Sequence, residues 1–261
     1  MFTAIVSLTA IGAVCAILLS LASRLMYAAF DERIPKIRTA LPGTNCGACG
    51  FPHCEGYAHA LVENEDVKGN LCLPGGAEVL DEISKVLGVR IKEDASKVAF
   101  VHCFGDKASQ QKKMDYFGIR TCFAAQAVYF GEGACSYGCI GYGDCEAACP
   151  AGAVCMDSGL ARVNANLCVG CALCAKACPQ KIIMLENREA KAHVACSSSE
   201  DAEGKAKRCA KGCAACGKCV EACAEKAIAI EGNRAIIAHA LCSSCGACAK
   251  VCLPKCVALL A

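Results

Sequence analysis

Three cysteine runs in this chain share a spacing that suits one kind of chemistry. From Cys168 the residues read Cys-Val-Gly-Cys-Ala-Leu-Cys-Ala-Lys-Ala-Cys-Pro, with thiols at Cys168, Cys171, Cys174 and Cys178. The same C-x2-C-x2-C-x3-C pattern returns at Cys213, Cys216, Cys219 and Cys223, and again at Cys242, Cys245, Cys248 and Cys252. A related run, Cys135, Cys139, Cys145 and Cys149, precedes them and is closed by Pro150. Runs of this form hold cubane [4Fe-4S] clusters, whose chemistry is the transfer of single electrons.

The alternative for a cysteine-rich chain is a disulfide scaffold. The chain has 27 cysteines, an odd number, so complete pairing is impossible. Disulfides also place no demand on a thrice-repeated tight spacing, whereas four thiolates around a cube do. In a two-cluster ferredoxin module, the fourth cysteine of each run binds the cluster of the other run. That rule assigns Cys135, Cys139, Cys145 and Cys178 to one cluster and Cys149, Cys168, Cys171 and Cys174 to its mate. It assigns Cys213, Cys216, Cys219 and Cys252 to a third, and Cys223, Cys242, Cys245 and Cys248 to a fourth. Cys135 is included because Ile140-Gly-Tyr-Gly-Asp144 replaces the usual middle of its run and the cube still needs three thiolates from this stretch.

A different spacing marks a fifth site. Leu41-Pro-Gly-Thr-Asn-Cys46-Gly-Ala-Cys49-Gly-Phe-Pro-His-Cys54 supplies three thiols from a glycine-rich loop, and Cys72 supplies the fourth. Four thiolates would also suit zinc, but the cubane runs elsewhere favour a cluster here too. The reading is therefore five [4Fe-4S] clusters as a minimum, with these cysteines as the iron ligands and no separate catalytic residue. Cys103, Cys122, Cys196 and Cys209 are left over, either as ligands of a further cluster or as free thiols. Cys155 and Cys256 read as small core residues, and Cys15 as an apolar filler.

The positioning elements follow from the intervening sequence. A helix is expected over Glu55 to Gly69, carrying the chain from Cys54 towards Cys72. Gly76 to Gly88 reads as an amphipathic helix with Val79, Leu80, Ile83, Val86 and Leu87 on one side and a glycine stop. Val98 to Val101 reads as a strand leading away from this region. The stretch from Cys103 to Cys122, with Lys107, Lys112, Lys113 and Asp115, reads as a solvated spacer. Ala161-Arg-Val163, Ile182-Ile-Met-Leu185, Ala227-Ile-Ala-Ile230 and Arg234-Ala-Ile-Ile237 read as small strands between the cysteine runs. Phe2 to Ala22 carries no charge and is long enough to predict a single membrane-crossing helix. The basic residues Arg24, Arg33, Lys36 and Arg38 that follow would place the cluster modules on the cytoplasmic side of the cell membrane.

The composition excludes other functions. With 27 basic and 25 acidic residues there is no basic excess to bind nucleic acid. The five histidines are scattered, and there is no His-Glu-x-x-His, phosphate loop or dinucleotide fingerprint. Trp is absent and aromatics make up only 5%, so the cores must be small and need another source of cohesion.

The amino-terminal helix, the Gly43-x-x-Cys46-Gly-Ala-Cys49-Gly-x-x-x-Cys54 loop, the Cys135-Ser-Tyr-Gly-Cys139-Ile-Gly-Tyr-Gly-Asp-Cys145 run and the paired modules together resemble the B subunits of Rnf complexes, the membrane-bound ferredoxin:NAD+ oxidoreductases. The resemblance covers essentially the whole chain. It implies an electron-transfer role in an ion-translocating (Na+ or H+) oxidoreductase, taking electrons from soluble reduced ferredoxin. The implied partners are the A, C, D, E and G subunits and a lipid membrane, with flavin, NAD and the ion path on those other subunits. The competing reading is an iron–sulfur electron carrier of another membrane-associated or corrinoid-related redox enzyme, which uses a similar amino-terminal loop.

The fold class expected is thus α+β: a single transmembrane helix (residues 1–30), a small 4Fe-4S domain (31–100) and two tandem ferredoxin-like paired-cluster modules (101–195 and 196–261).

Overall fold

The computed structural model describes residues 2–25, 31–64, 66–91 and 97–259, without the side chains of residues 3–5, 8 and 25. The amino-terminal part is helical. Helix α1 spans Phe2–Leu25, α2 Arg33–Ala40, α3 Cys54–Glu63 and α4 Gly76–Leu87. Helices α2, α3 and α4 pack around Ile37, Tyr57, Leu61 and Ile83, of which Ile37 and Ile83 are fully buried. Each such side chain contributes about 1.5–3 kcal/mol on burial.

Helix α3 is shorter than the sequence suggests. Asn64 leaves the helical region (φ −134°), and its Oδ1 accepts the backbone N–H of Asp66 at 3.0 Å, so the chain turns there instead of continuing to Gly69. Helix α4 ends as expected, with Gly88 left-handed at φ 67°.

The expectation of a membrane span is corrected. Among the described residues, no helix is long and apolar enough to cross a membrane. Residues 26–30 of the expected 1–30 anchor lie outside the described residues. The single-pass topology, and with it the spanning anchor in the expected fold, function and membrane localisation, is corrected accordingly. The α+β character stands.

The remainder consists of two similar units. The first comprises β1 (Lys97–Val101), α5 (Cys122–Ala127), α6 (Asp144–Ala147), β2 (Val154–Asp157), β3 (Leu160–Val163), α7 (Leu173–Ala177) and β4 (Ile183–Asn187). The second comprises β5 (Ala192–Val194), α8 (Ala202–Arg208), α9 (Lys218–Glu221), β6 (Ile228–Glu231), β7 (Arg234–Ile237), α10 (Ala247–Val251) and β8 (Val257–Leu259). In each unit a hairpin, β2–β3 or β6–β7, lies between the two cysteine runs, and the first and last strands, β1–β4 or β5–β8, close the unit as an antiparallel pair. Strand β1 therefore does not lead away from the amino-terminal part. It opens the first ferredoxin-like unit, with Val101 opposite Ile183. Phe100, Ala195 and Ala258 form a small core shared by the two units.

All four of these sheets have two strands. A two-stranded sheet is marginal by itself in water. The cores around them are correspondingly small and carry cysteines: Cys103, Cys145 and Cys174 in the first, Cys213, Cys248 and Cys256 in the second. Cofactor binding supplies folding free energy in domains built this way.

Candidate iron–sulfur centres

The cysteine runs fold by a rule repeated four times. Helices α6, α7, α9 and α10 each begin immediately after a left-handed residue: Gly143 (φ 85°), Ala172 (φ 62°), Gly217 (φ 77°) and Gly246 (φ 75°). The second helical residue is then the third cysteine of a run: Cys145, Cys174, Cys219 or Cys248. Three residues past the fourth cysteine the backbone is left-handed again, at Gly152 (φ 59°), Lys181 (φ 54°), Lys226 (φ 52°) and Lys255 (φ 52°). Only glycine takes up this conformation without strain. The repeated turn brings the chain back over each run and directs peptide N–H groups at sulfur. Cys149 Sγ accepts from Ala153 N at 3.3 Å and its counterpart Cys223 Sγ from Ala227 N at 3.3 Å. Cys168, Cys213 and Cys242 accept from Ala99, Ala235 and Ser244.

Three cavities of similar size are each lined by four cysteines. The first, of ≈300 Å³, is lined by Cys46, Cys49, Cys54 and Cys72. Its loop is pinned by Asn45, whose Oδ1 accepts the N–H of Cys54 at 2.9 Å. Tyr57 braces the return: its hydroxyl donates to Lys68 O at 2.8 Å and accepts from Leu71 N at 3.2 Å. The second cavity, of ≈350 Å³, is lined by Cys122, Cys139, Cys145 and Cys178. The third, of ≈390 Å³, is lined by Cys103, Cys135, Cys196 and Cys209.

Most of the remaining thiols gather in the small cores, while Cys216 and Cys245 are exposed. Cys171 and Cys174 lie beside Cys149 and Cys168. Cys219 lies beside Cys213, Cys216 and Cys252. Cys248 lies beside Cys242 and Cys245, with Cys223 packed on the same core. Buried Cys256 stands with its sulfur 3.6 Å from that of Cys252. Cys155 is exposed on β2.

Two placements differ from the sequence reading. Cys135 lines a cavity separate from that of Cys139, Cys145 and Cys178, and Cys122 stands where Cys135 was expected. Cys122 opens α5, which the Thr121 hydroxyl caps by accepting from Ala124 N. The signal was present: Ile140 to Asp144 removes one thiol from the run, and a spare cysteine stands upstream in a capped, helix-forming segment.

The donor sets fit iron–sulfur clusters. They are all thiol, and three of the sets line a cavity with four cysteines each. Burial pushes the Cys72 and Cys174 thiols up to about 11 and those of Cys103 and Cys145 up to about 12. A thiol that burial holds in its protonated form is stabilised as a thiolate by a metal charge beside it.

Comparison with known proteins agrees. A family model for an Fe-S cluster matches residues 41–74, and a 4Fe-4S binding domain model matches residues 161–184. The B subunit of the proton-translocating ferredoxin:NAD(+) oxidoreductase complex of Clostridium ljungdahlii is 35% identical over 209 residues, 80% of this chain and 74% of the relative. The B subunit of the Na(+)-translocating ferredoxin:NAD(+) oxidoreductase complex of Acetobacterium woodii is 33% identical, over 76% of this chain and 59% of that longer relative. The B subunit of the ion-translocating oxidoreductase complex of Methanosarcina acetivorans is 33% identical over 81% of this chain and 80% of the relative. With the cysteine sets in place and relatives matched along most of their length, the chain belongs to the family of B subunits of ion-translocating ferredoxin:NAD(+) oxidoreductase complexes, the Rnf family.

Proposed function

We propose that this chain is the electron carrier of an Rnf-type oxidoreductase, receiving single electrons from reduced ferredoxin and delivering them to the A, C, D, E and G subunits of the complex. When bound, [4Fe-4S] clusters supply reversible one-electron transfer over a wide range of potentials. The proposed ligands are Cys46, Cys49, Cys54 and Cys72 for one cluster; Cys122, Cys139, Cys145 and Cys178 for a second; Cys149, Cys168, Cys171 and Cys174 for a third. Cys213, Cys216, Cys219 and Cys252 would hold a fourth, and Cys223, Cys242, Cys245 and Cys248 a fifth.

The observation that supports the reading is that consecutive cysteine sets lie within electrostatic range of one another. Cys46 of the amino-terminal loop is an electrostatic neighbour of Cys171. Cys171 belongs to the paired run whose crossing cysteine, Cys178, lines the next cavity. The chain's own part is to fix these separations, to exclude water from the sulfurs, and to set the balance of charge with peptide N–H groups aimed at sulfur.

The test is direct. Anaerobically purified protein mixed with reduced ferredoxin should lose its sulfide-to-iron absorbance within the turnover time of the intact complex. Cys171→Ala should interrupt delivery beyond that set while the amino-terminal centre is still reduced. Protein that holds iron and sulfide but is not reduced by ferredoxin would overturn the proposal.

A further inference from the structure

The sequence halves repeat more than their paired runs. Cys135-x3-Cys139 corresponds to Cys209-x3-Cys213, and both units have an earlier cysteine, Cys103 or Cys196; the first unit also has Cys122. Cys103, Cys135, Cys196 and Cys209 are not needed by the five sets above. In the structure these thiols meet. Cys103 and Cys196 face each other in an isolated antiparallel bridge, and Cys135 and Cys209 complete the lining of the ≈390 Å³ cavity between the units.

We propose that Cys103, Cys135, Cys196 and Cys209 hold a further [4Fe-4S] cluster, built half from each ferredoxin-like unit.

Four features of the chain make this a constructed site. First, the backbone frames it from both sides: Gln111 N donates to Arg208 O and Ala210 N to Ser109 O, each at 2.9 Å, and Ser197 Oγ donates to His102 O at 2.8 Å. The stretch after Cys103 keeps Lys107, Lys112, Lys113 and Asp115 exposed, as a solvated spacer would, and in addition bridges to the second unit at Gln110 and Cys209. Second, the cavity matches in size and donor set the two cavities that line Cys46, Cys49, Cys54, Cys72 and Cys122, Cys139, Cys145, Cys178. Third, the wall approaches closely at a residue without a side chain: a β-carbon on Gly105 would sit 3.0 Å from Cys209 Sγ. Fourth, the lining carries Lys205, Lys211 and Arg208 against a single carboxylate, Glu200. Lys205 is 2% exposed and donates to two peptide carbonyls, those of Cys213 at 3.0 Å and of Asn233. A thiolate-ligated cluster is a net anion, and a buried cation held by neutral carbonyls suits it.

The position has a consequence. The amide of Cys139 donates to Cys103 Sγ at 3.4 Å, which ties this site to the Cys122, Cys139, Cys145 and Cys178 set. On the other side Cys209 is four residues from Cys213 and shares Lys205 with it. A centre here would lie between the cysteine sets of the two units.

The inference rests on the cluster reading of the other sets, and the experiment separates the two. Full-length chain is prepared anaerobically, iron and acid-labile sulfide are counted, and an iron-edge anomalous map is collected on the protein or its complex. The expected result is anomalous density within the four-cysteine cavity and a cluster count one above five. In the Cys135→Ala and Cys209→Ala variants, iron and sulfide should each fall by about four per chain, with loss of one EPR component. Cys122→Ala should remove a different component. Should a single variant fold poorly, the wild-type map decides by itself. Iron at the other five sets with none in this cavity, or zinc or a disulfide there, overturns the inference and leaves the proposed function standing. Absence of iron from every set overturns both.

Discussion

The carboxylate of Asp144 receives the backbone N–H of Cys122 at 2.9 Å, across 22 residues of chain, and that of Phe123 at 3.1 Å. Asp144 itself sits between Gly143, the left-handed entry to α6, and Cys145. One side chain therefore holds the start of α5 against the start of α6, and so sets Cys122 beside Cys145. Asp144→Ala should free the end of α5 at a cost of about 1–2 kcal/mol, as loss of a helix cap does. The variant should lose the iron and the EPR component that Cys122→Ala loses. Asp144→Asn, which keeps an acceptor oxygen, should retain most of the iron. Full cluster occupancy in Asp144→Ala would show that Cys122 is positioned by something else.

The four left-handed helix starts allow a matched pair of substitutions. Ala172 occupies a position where the other three runs have glycine, and it carries φ 62°. Ala172→Gly should raise stability by about 1 kcal/mol, the scale of the left-handed penalty for a residue with a β-carbon. Gly217→Ala should lower it by a similar amount, and no atom lies within 4 Å of the added carbon to confuse the cause. Denaturant midpoints of the cluster-loaded protein, followed by cluster absorbance, would measure both. If the two substitutions move the midpoint in the same direction, backbone conformation is not what the position selects.

Much of this site was readable from spacing, because a cube constrains its ligands within one turn or two of local chain. The helix stop at Gly88 and the strands around the hairpins were readable for similar reasons. Sites that depend on long-range closure were not. Cys122 and Cys145 are joined through Asp144, and Cys103 and Cys196 meet only once β1–β4 and β5–β8 have closed their units. The apolar run of α1 predicted a span, whereas among the described residues no helix is long and apolar enough to cross a membrane. The end of α3 turned on one side chain, Asn64, whose local hydrogen bond outweighed helix propensity.

Between the two ferredoxin-like units, Glu186 on β4 faces three histidines. His102 Nε2 is 3.1 Å from Glu186 Oε1, His239 Nε2 is 3.3 Å from Oε2, and His193, stacked on Phe100 at 4.6 Å, has Nδ1 at 4.0 Å. Arg234 lines the same cleft. The hydrogen bond from His102 holds the Glu186 carboxyl below its ordinary range, and burial holds His193 below the ordinary histidine value. A histidine whose folded value is depressed takes its proton more readily when unfolded, so stability falls as pH drops through the ordinary histidine range. The Glu186 contribution is present above the ordinary carboxylate value and is lost only at still lower pH, through its depressed folded value. The melting temperature should therefore decline between about pH 7.5 and 5.5, and His193→Phe, which keeps the ring contact with Phe100, should flatten that decline. An unchanged slope in the variant would assign the pH dependence elsewhere.

Lys205 offers a test of how the chain tunes its centres. Its ammonium is buried and donates to the carbonyls of Cys213 and Asn233, so it fixes a positive charge beside the Cys213 set. Positive charge favours the reduced, more negative state of a cluster. Lys205→Met keeps the aliphatic volume, removes the charge, and leaves two carbonyls without this donor at a cost of about 1–3 kcal/mol each. The midpoint potential of the nearest centre should shift to more negative values, and the centres held by the amino-terminal loop and by Cys149, Cys168, Cys171 and Cys174 should not move. Potentiometric titration followed by EPR resolves the two cases. A uniform shift of every centre would indicate a global loss of packing, and no shift at all would mean that solvent reaches this lysine.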